Sequence, residues 1–228
     1  MISKNRLIIG FAIGFGILPF LIINFLFSLL KILVPLIAFI EFAIMLEKKY
    51  KNDLIATIYA LPMLFFGIIF MASLSYLREA SMLLLLLIIF GGIIADVSAL
   101  YIGKRFGKNK FFPKISPNKT REGAVGSLVI TALFFMFIAV ILETLDISGI
   151  FKNSFGTNMI PLGFIVPLFG TTGDLVESWF KRKCGVKDSS TIFGDHGGFL
   201  DRIDSQSFSI IASATYIIFL TNYTSFLK

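Results

Sequence analysis

Residues 7–46 form a nearly unbroken apolar run. A helix needs about 20 mostly apolar residues to cross a bilayer. This run is therefore too long for one span, and Ser28 to Lys31 is the expected dividing point. Five further stretches of spanning length follow: Leu54 to Ala72, Ser81 to Ile102, Ala124 to Leu142, Met159 to Phe180 and Ile203 to Tyr223. The expected fold is all-α, a polytopic integral membrane protein of about seven transmembrane helices. Lys4 and Arg6 give the start the look of a signal peptide. The apolar stretch is longer than such a segment and no small-residue cleavage site follows it, so a retained span is expected.

Composition excludes the soluble alternatives. Hydrophobic residues make up 56% of the chain and charged residues 15%, against about 25% charged in soluble domains. A water-soluble enzyme and a disordered chain are both ruled out. The single cysteine, Cys184, excludes an internal disulfide. The net charge of +7 is what basic loops facing anionic lipid produce, so no nucleic-acid partner is expected.

Basic residues set the orientation. With the N-terminus in the cytoplasm, all but Lys31, Arg78, Lys152 and Lys228 of the 21 Lys and Arg fall on the cytoplasmic side. Residues 1–80 then form an N-terminal unit of three spans. Residues 81–228 form a catalytic unit with cytoplasmic loops 103–123 and 181–202. With no β-barrel pattern, the expected location is the inner (plasma) membrane, as a multi-pass protein.

Charges at membrane depth are costly and mark function. Asp96, Asp174, Glu177, Asp201 and Asp204 all fall near the cytoplasmic ends of spans. Asp174, Glu177, Ser178 and Lys181 make one helical stripe, and Asp201 and Asp204 share another face. Five carboxylates beside two basic loops suggest a hard divalent cation and a polyphosphate. Ser116, Lys119 and Thr120 offer phosphate donors at the start of a helix. Lys108, Lys110 and Lys114 fit a plain positive anchor. Glu41, inside the second span, either pairs with another span or lies near the interface. Asp195-His196-Gly197-Gly198 is a tight loop in which His196 fits a hydrogen-bonding role better than a catalytic one. There is no P-loop, no GxSxG elbow and no zinc pattern.

Two segments carry a resemblance. One is Ser178-Trp179-Phe180-Lys181-Arg182 followed by Lys187-Asp188 and by Phe193-Gly194-Asp195-His196-Gly197-Gly198-Phe199-Leu200-Asp201-Arg202-Ile203-Asp204. The other is Ser116-Pro117-Asn118-Lys119-Thr120-Arg121-Glu122-Gly123. With Asp96 to Gly107 and Gly173-Asp174-Leu175, they resemble the phosphatidate cytidylyltransferases over residues 91–205. Family members often carry Pro-Gly before the histidine, where this chain has Gly194-Asp195, and the chain is short for the family.

The resemblance implies a Mg²⁺-dependent reaction of CTP with phosphatidic acid, giving CDP-diacylglycerol and pyrophosphate in phospholipid biosynthesis. It implies Asp174, Asp201 and Asp204 as metal ligands, with a second cation (K⁺ or Mg²⁺) nearby. Lys181, Arg182, Lys187 and Arg202 would contact CTP or lipid phosphates. Ser116 and Lys119 would line the phosphate site, Asp96 would either bind the metal or support its ligands, and His196 would orient the loop beside the nucleotide. It also implies a homodimer. The alternatives are another CTP-using membrane enzyme (a CDP-archaeol synthase or a polyprenol kinase) and a transporter with an acidic midplane site. The transporter requires carboxylates deep in the spans, whereas here they gather at one end.

Overall fold

The computed structural model describes residues 18–145, 159–194 and 197–226. The elements are α1 (Leu18–Ile22), α2 (Asn24–Tyr50), α3 (Asp53–Ala80), α4 (Met82–Phe106), β1 (Lys110–Phe112), β2 (Ser116–Thr120), α5 (Arg121–Thr144), α6 (Leu162–Lys183) and α7 (Leu200–Phe226). Among the described residues, α2, α3, α4, α5 and α7 are long and apolar enough to cross a membrane. The expected all-α membrane architecture is therefore present, with one small antiparallel ribbon, β1 with β2, added to it. The 22-residue α6 is less apolar, because Gly170-Thr171-Thr172-Gly173-Asp174 interrupts it. Most of the first expected span lies outside the described residues.

The expected division at Ser28 to Lys31 is overturned. α2 runs unbroken through it, and Ser28 Oγ simply donates back to Asn24 O at 2.9 Å. The chain breaks instead at Ile23, where φ is −82° and ψ 117°. Arg78 of α3 supports this break. It donates to Leu21 O at 2.6 Å, Ile22 O at 3.0 Å and Asn24 Oδ1 at 2.7 Å, with its guanidinium 4.4 Å from the centre of the Phe27 ring. Irregular backbone at membrane depth needs such replacement partners.

Short-range chemistry sets the other ends. Lys51, at φ 53°, closes α2 in the left-handed region. Asn52, Ser81 and Thr120 cap α3, α4 and α5 by accepting from Ile55 N, Leu84 N and Gly123 N. These tight turns make successive long helices antiparallel. The 51–52 turn, the β-ribbon and residues 184–194 and 197–199 therefore share one end of the bundle. Lys48, Lys49, Lys104, Arg105, Lys181, Arg182 and Lys183 stand in the last turns of helices at that same end.

Phe27, Leu84, Leu85, Ile88, Phe135, Leu162 and Val166 are buried in the central core. Large apolar side chains such as Phe25, Phe65 and Phe137 are exposed on the outside, as a lipid-facing surface requires. α6 and α7 approach closely through small residues. Gly170 packs against Ser205 and Ser209, and Ser209 Oγ donates to Val166 O at 2.8 Å. A Cβ on Gly173 would lie 2.5 Å from Asp204 O and 2.8 Å from the Phe208 ring. Gly173→Ala is therefore expected to cost about 1–3 kcal/mol by overpacking, seen as a lower Tm in detergent. An unchanged Tm would mean that the two helices separate freely.

Candidate active site

A polar cleft of about 830 Å³ opens at the basic end of the bundle, between α4, the β-ribbon, α5 and α6. Asp96 and Lys104 come from α4, Lys110, Ser116 and Lys119 from the ribbon, and Asp174 from α6. Register places the ribbon residues. Lys110 pairs with Thr120 and Phe112 with Ser116, with an irregularity between them. Arg121 N donates to Asn109 O at 2.9 Å, and Glu122 accepts from Asn109 N and Nδ2. Glycine makes the close approach possible, because a Cβ on Gly103 would meet Thr120 Oγ1 at 2.9 Å.

Lys119 reaches across the cleft to Asp174, Nζ to Oδ2 at 2.5 Å. Ser178 Oγ donates to Asp174 Oδ1 at 3.3 Å. On the α7 side, Ser205 Oγ donates to both Asp96 oxygens at 3.0 and 3.3 Å, and Ser205 N donates to Asp204 Oδ1 at 2.7 Å. Asp96 and Asp204 are thus linked through Ser205, and Asp174 lines the same cleft as Asp96, so three helices contribute carboxylates to this part of the bundle. Lys119, paired with Asp174, lines the same cleft as Asp96.

Asp201 is used differently. Its Oδ1 takes Lys181 Nζ at 2.5 Å. Its Oδ2 accepts from Ser189 N and Ser189 Oγ, both at 2.9 Å, and from Gly198 N at 2.8 Å. Lys181 also pairs with Glu177 one turn earlier on α6. Two adjacent aspartates on one face of α7 thus serve two purposes. Asp204 stands beside Ser205, the donor to Asp96, and Asp201 ties Ser189 and Gly198 to Lys181 of α6.

Two apolar cavities lie in the bundle, one of them against the cleft. One, of about 510 Å³, lies between the ribbon, α5 and α6, and shares Phe111, Ala124 and Thr171 with the polar cleft. The other, of about 340 Å³, lies among α2, α3, α6 and α7, with Phe42, Phe66 and Phe180 in its wall and Glu177 and Asp204 at its edge. A charged cleft adjoining apolar space is what a headgroup with attached chains requires.

The sequence model of the cytidylyltransferase family matches residues 3–220. The chain belongs to the cytidylyltransferase family. It is 43% identical over 156 residues to a phosphatidate cytidylyltransferase of Aquifex aeolicus, covering 68% of this chain and 54% of that protein. It is 35% identical over 161 residues to the Helicobacter pylori phosphatidate cytidylyltransferase, covering 70% and 56%. It is 43% identical over 116 residues to the Haemophilus influenzae one, covering 51% and 39%. The chain spans about half the length, or less, of these relatives.

In this cytidylyltransferase-family chain the expected residues divide into groups. Ser116, Lys119 and Asp174 stand together in the cleft, with Asp204 behind them. Lys181 and Asp201 form the adjoining ion-paired cluster. Arg182 braces the ribbon, donating from Nε to Ile115 O at 3.3 Å and from its terminal nitrogen to Val186 O at 3.2 Å. Lys187 and Arg202 are exposed at the same end of the bundle. His196 lies outside the described residues.

Sequence reasoning did not assign Glu41 to the site. It is 1% exposed on α2, yet it accepts hydrogen bonds from Ser190 Oγ, from Phe199 N at 2.9 Å and from Leu200 N at 2.7 Å. Its only sequence signal was a charge within an apolar helix.

Asp96, Asp174 and Asp204 are an all-oxygen donor set, which suits Mg²⁺. Among the described residues, no three Asp, Glu, His or Cys side chains form a metal cage by themselves. Asp201, expected in that set, has both oxygens engaged by protein donors.

Proposed function

We propose that this chain transfers the cytidylyl group of CTP to phosphatidic acid, forming CDP-diacylglycerol and pyrophosphate. The observation that carries this reading is the polar cleft, where Lys119, Lys104 and Lys110 gather opposite Asp96 and Asp174 and beside apolar space. The family, and the relatives that are phosphatidate cytidylyltransferases, support it.

A phosphate oxygen of phosphatidic acid attacks the α-phosphorus of CTP. The new P–O bond forms as the bond from that phosphorus to the bridging oxygen of the β-phosphate breaks. Pyrophosphate leaves with the electron pair. The attacking oxygen is already ionised near neutral pH, so no general base is required. Both reactants are anions, and their repulsion is a large part of the barrier. Lys119, with Ser116, holds phosphate oxygens and sets the approach, while Lys104 and Lys110 add positive potential. Arg182, Lys187 and Arg202 attract the anions to this end of the bundle. Asp96 and Asp174, which line the same cleft, would hold Mg²⁺ together with substrate phosphates, with Asp204 beside them through Ser205, and the ion when bound would withdraw charge from the nucleotide phosphates. Lys181 and Asp201 keep the neighbouring segment in place. The acyl chains would lie in the 510 Å³ cavity, because it shares its wall with the cleft.

The same reading includes seven spans with the N-terminus in the cytoplasm, residence in the inner (plasma) membrane, and a homodimer. The basic end of the bundle then faces the cytoplasm, where CTP is available.

Lys119→Met is expected to raise the KM for CTP about tenfold with a smaller effect on kcat, through loss of one charge-assisted hydrogen bond worth about 1.5 kcal/mol. Steady-state kinetics in mixed micelles measures both constants, and an unchanged KM would remove Lys119 from the phosphate site. The reaction itself is tested by pyrophosphate release from CTP. Release that requires phosphatidic acid and stops in EDTA is expected. Pyrophosphate formed equally without phosphatidic acid would overturn the reading.

A further inference from the structure

We infer that Glu41 is a positioning residue for this reaction: its carboxylate caps α7 from another helix and so sets where Asp204 stands. The inference rests on the function proposed above. Its starting point is an oddity of placement. Ala38, Phe42 and Met45, the neighbours of Glu41 along α2, are buried and apolar. A buried carboxylate there is unfavourable unless donors surround it, and its donors are neutral: Ser190 Oγ, Phe199 N and Leu200 N.

Those two amides lie at the start of α7, where helix N–H groups have no partner within the helix. A carboxylate there satisfies them and meets the positive end of the helix dipole. Asp201 works from the other side. It takes Gly198 N, Ser189 N and Ser189 Oγ, so two carboxylates clamp residues 189–190 to residues 198–200. The fit is close. Any Cβ on Gly198 would collide with Glu41 Oε1, Ser189 Oγ and Ser190 Oγ together.

The consequence reaches the reacting end of the bundle. Asp204 is one helical turn beyond the clamped residues and directly precedes Ser205, which bonds Asp96. Rotation or sliding of α7 at its start would move Asp204 away from Asp96 and Asp174. α2 therefore belongs to the reacting unit as well as to the membrane anchor.

The test uses the full chain in phosphatidic acid vesicles, with wild type, Glu41→Gln and Ser190→Ala assayed per folded molecule. Glu41→Gln replaces one acceptor oxygen with a donor and is expected to lower kcat by about 10- to 100-fold, the scale of an ångström-level misplacement, with the KM for CTP little changed. Hydrogen exchange at the amides of Phe199 and Leu200 should quicken in the same variant. Ser190→Ala should shift both readings in the same directions by less, and it decides the matter if Glu41→Gln does not fold. Unchanged kcat, or slowed turnover with unchanged exchange at these two amides, overturns the inference. A wild type that makes no CDP-diacylglycerol would sink the proposed function instead, and the exchange measurement would then decide by itself whether Glu41 holds α7.

Discussion

Asp204→Asn is expected to lower kcat by roughly 10²- to 10³-fold, the usual cost of losing one preorganised electrostatic contact in a reacting site. The substitution keeps the shape of the side chain and retains an oxygen to accept from Ser205 N. What it removes is a negative charge beside Ser205, the donor to Asp96, in a partly buried place that already holds that second carboxylate. The folded protein should therefore be as stable as wild type or more so. Sites built for chemistry keep such unfavourable arrangements, and neutralising one member exchanges activity for stability. The check pairs kcat with thermal unfolding in the same detergent. Near wild-type turnover would remove Asp204 from the site. Lost turnover with a much lower Tm would make it a folding residue instead.

Lys181→Met is expected to give the largest loss of stability. The ammonium group lies between Glu177 and Asp201, and the side chains of those two carboxylates are 12% and 11% exposed. Removing the cation leaves two largely buried anions unpaired, and breaking a buried pair in this way costs about 3–5 kcal/mol. Glu177→Gln added to Lys181→Met should recover part of that loss, because one anion is then neutral. Asp201 keeps its Ser189 and Gly198 donors, so these residues should stay with α7 while its tie to α6 is lost. Thermal unfolding of the single and double variants measures the effect. Equal Tm values for wild type and Lys181→Met would mean that the cluster contributes nothing to stability.

The features most legible in the sequence are those set by short range and by hydropathy. Apolar runs located α4, α5 and α7 to within about four residues at each end, and the start of α3, which continues eight residues past the expected Ala72 to Ala80. The stripe at 174, 177, 178 and 181 predicted one helix face, and the Ser178–Asp174 and Lys181–Glu177 contacts lie on it. The break at Ile23 was not legible, because what supports it is Arg78, more than fifty residues later. The ribbon was missed because its strands are short, three and five residues, and its second strand contacts α4, α5 and α6, which are distant in sequence or set only by packing.

The site itself divides in the same way. Lys119 and Asp174 could each be named as candidates, but their pairing across the cleft depends on how α5 and α6 pack. Asp201 and Asp204 look equivalent at i and i+3. Only the fold separates them, by bringing the amides of Ser189 and Gly198 to one and the Asp96 neighbourhood to the other. Glu41 is the furthest case, since its donors lie about 150 residues away in sequence.

The fate of the nucleotide's phosphorus tests the central claim most directly. Purified protein in phosphatidic acid vesicles, given Mg²⁺ and CTP labelled at the α- or the γ-phosphate, should place the α-label in the lipid and the γ-label in pyrophosphate. A γ-label transferred to lipid, with CDP left in solution, would contradict cytidylyl transfer and make the cleft the site of a CTP-dependent kinase.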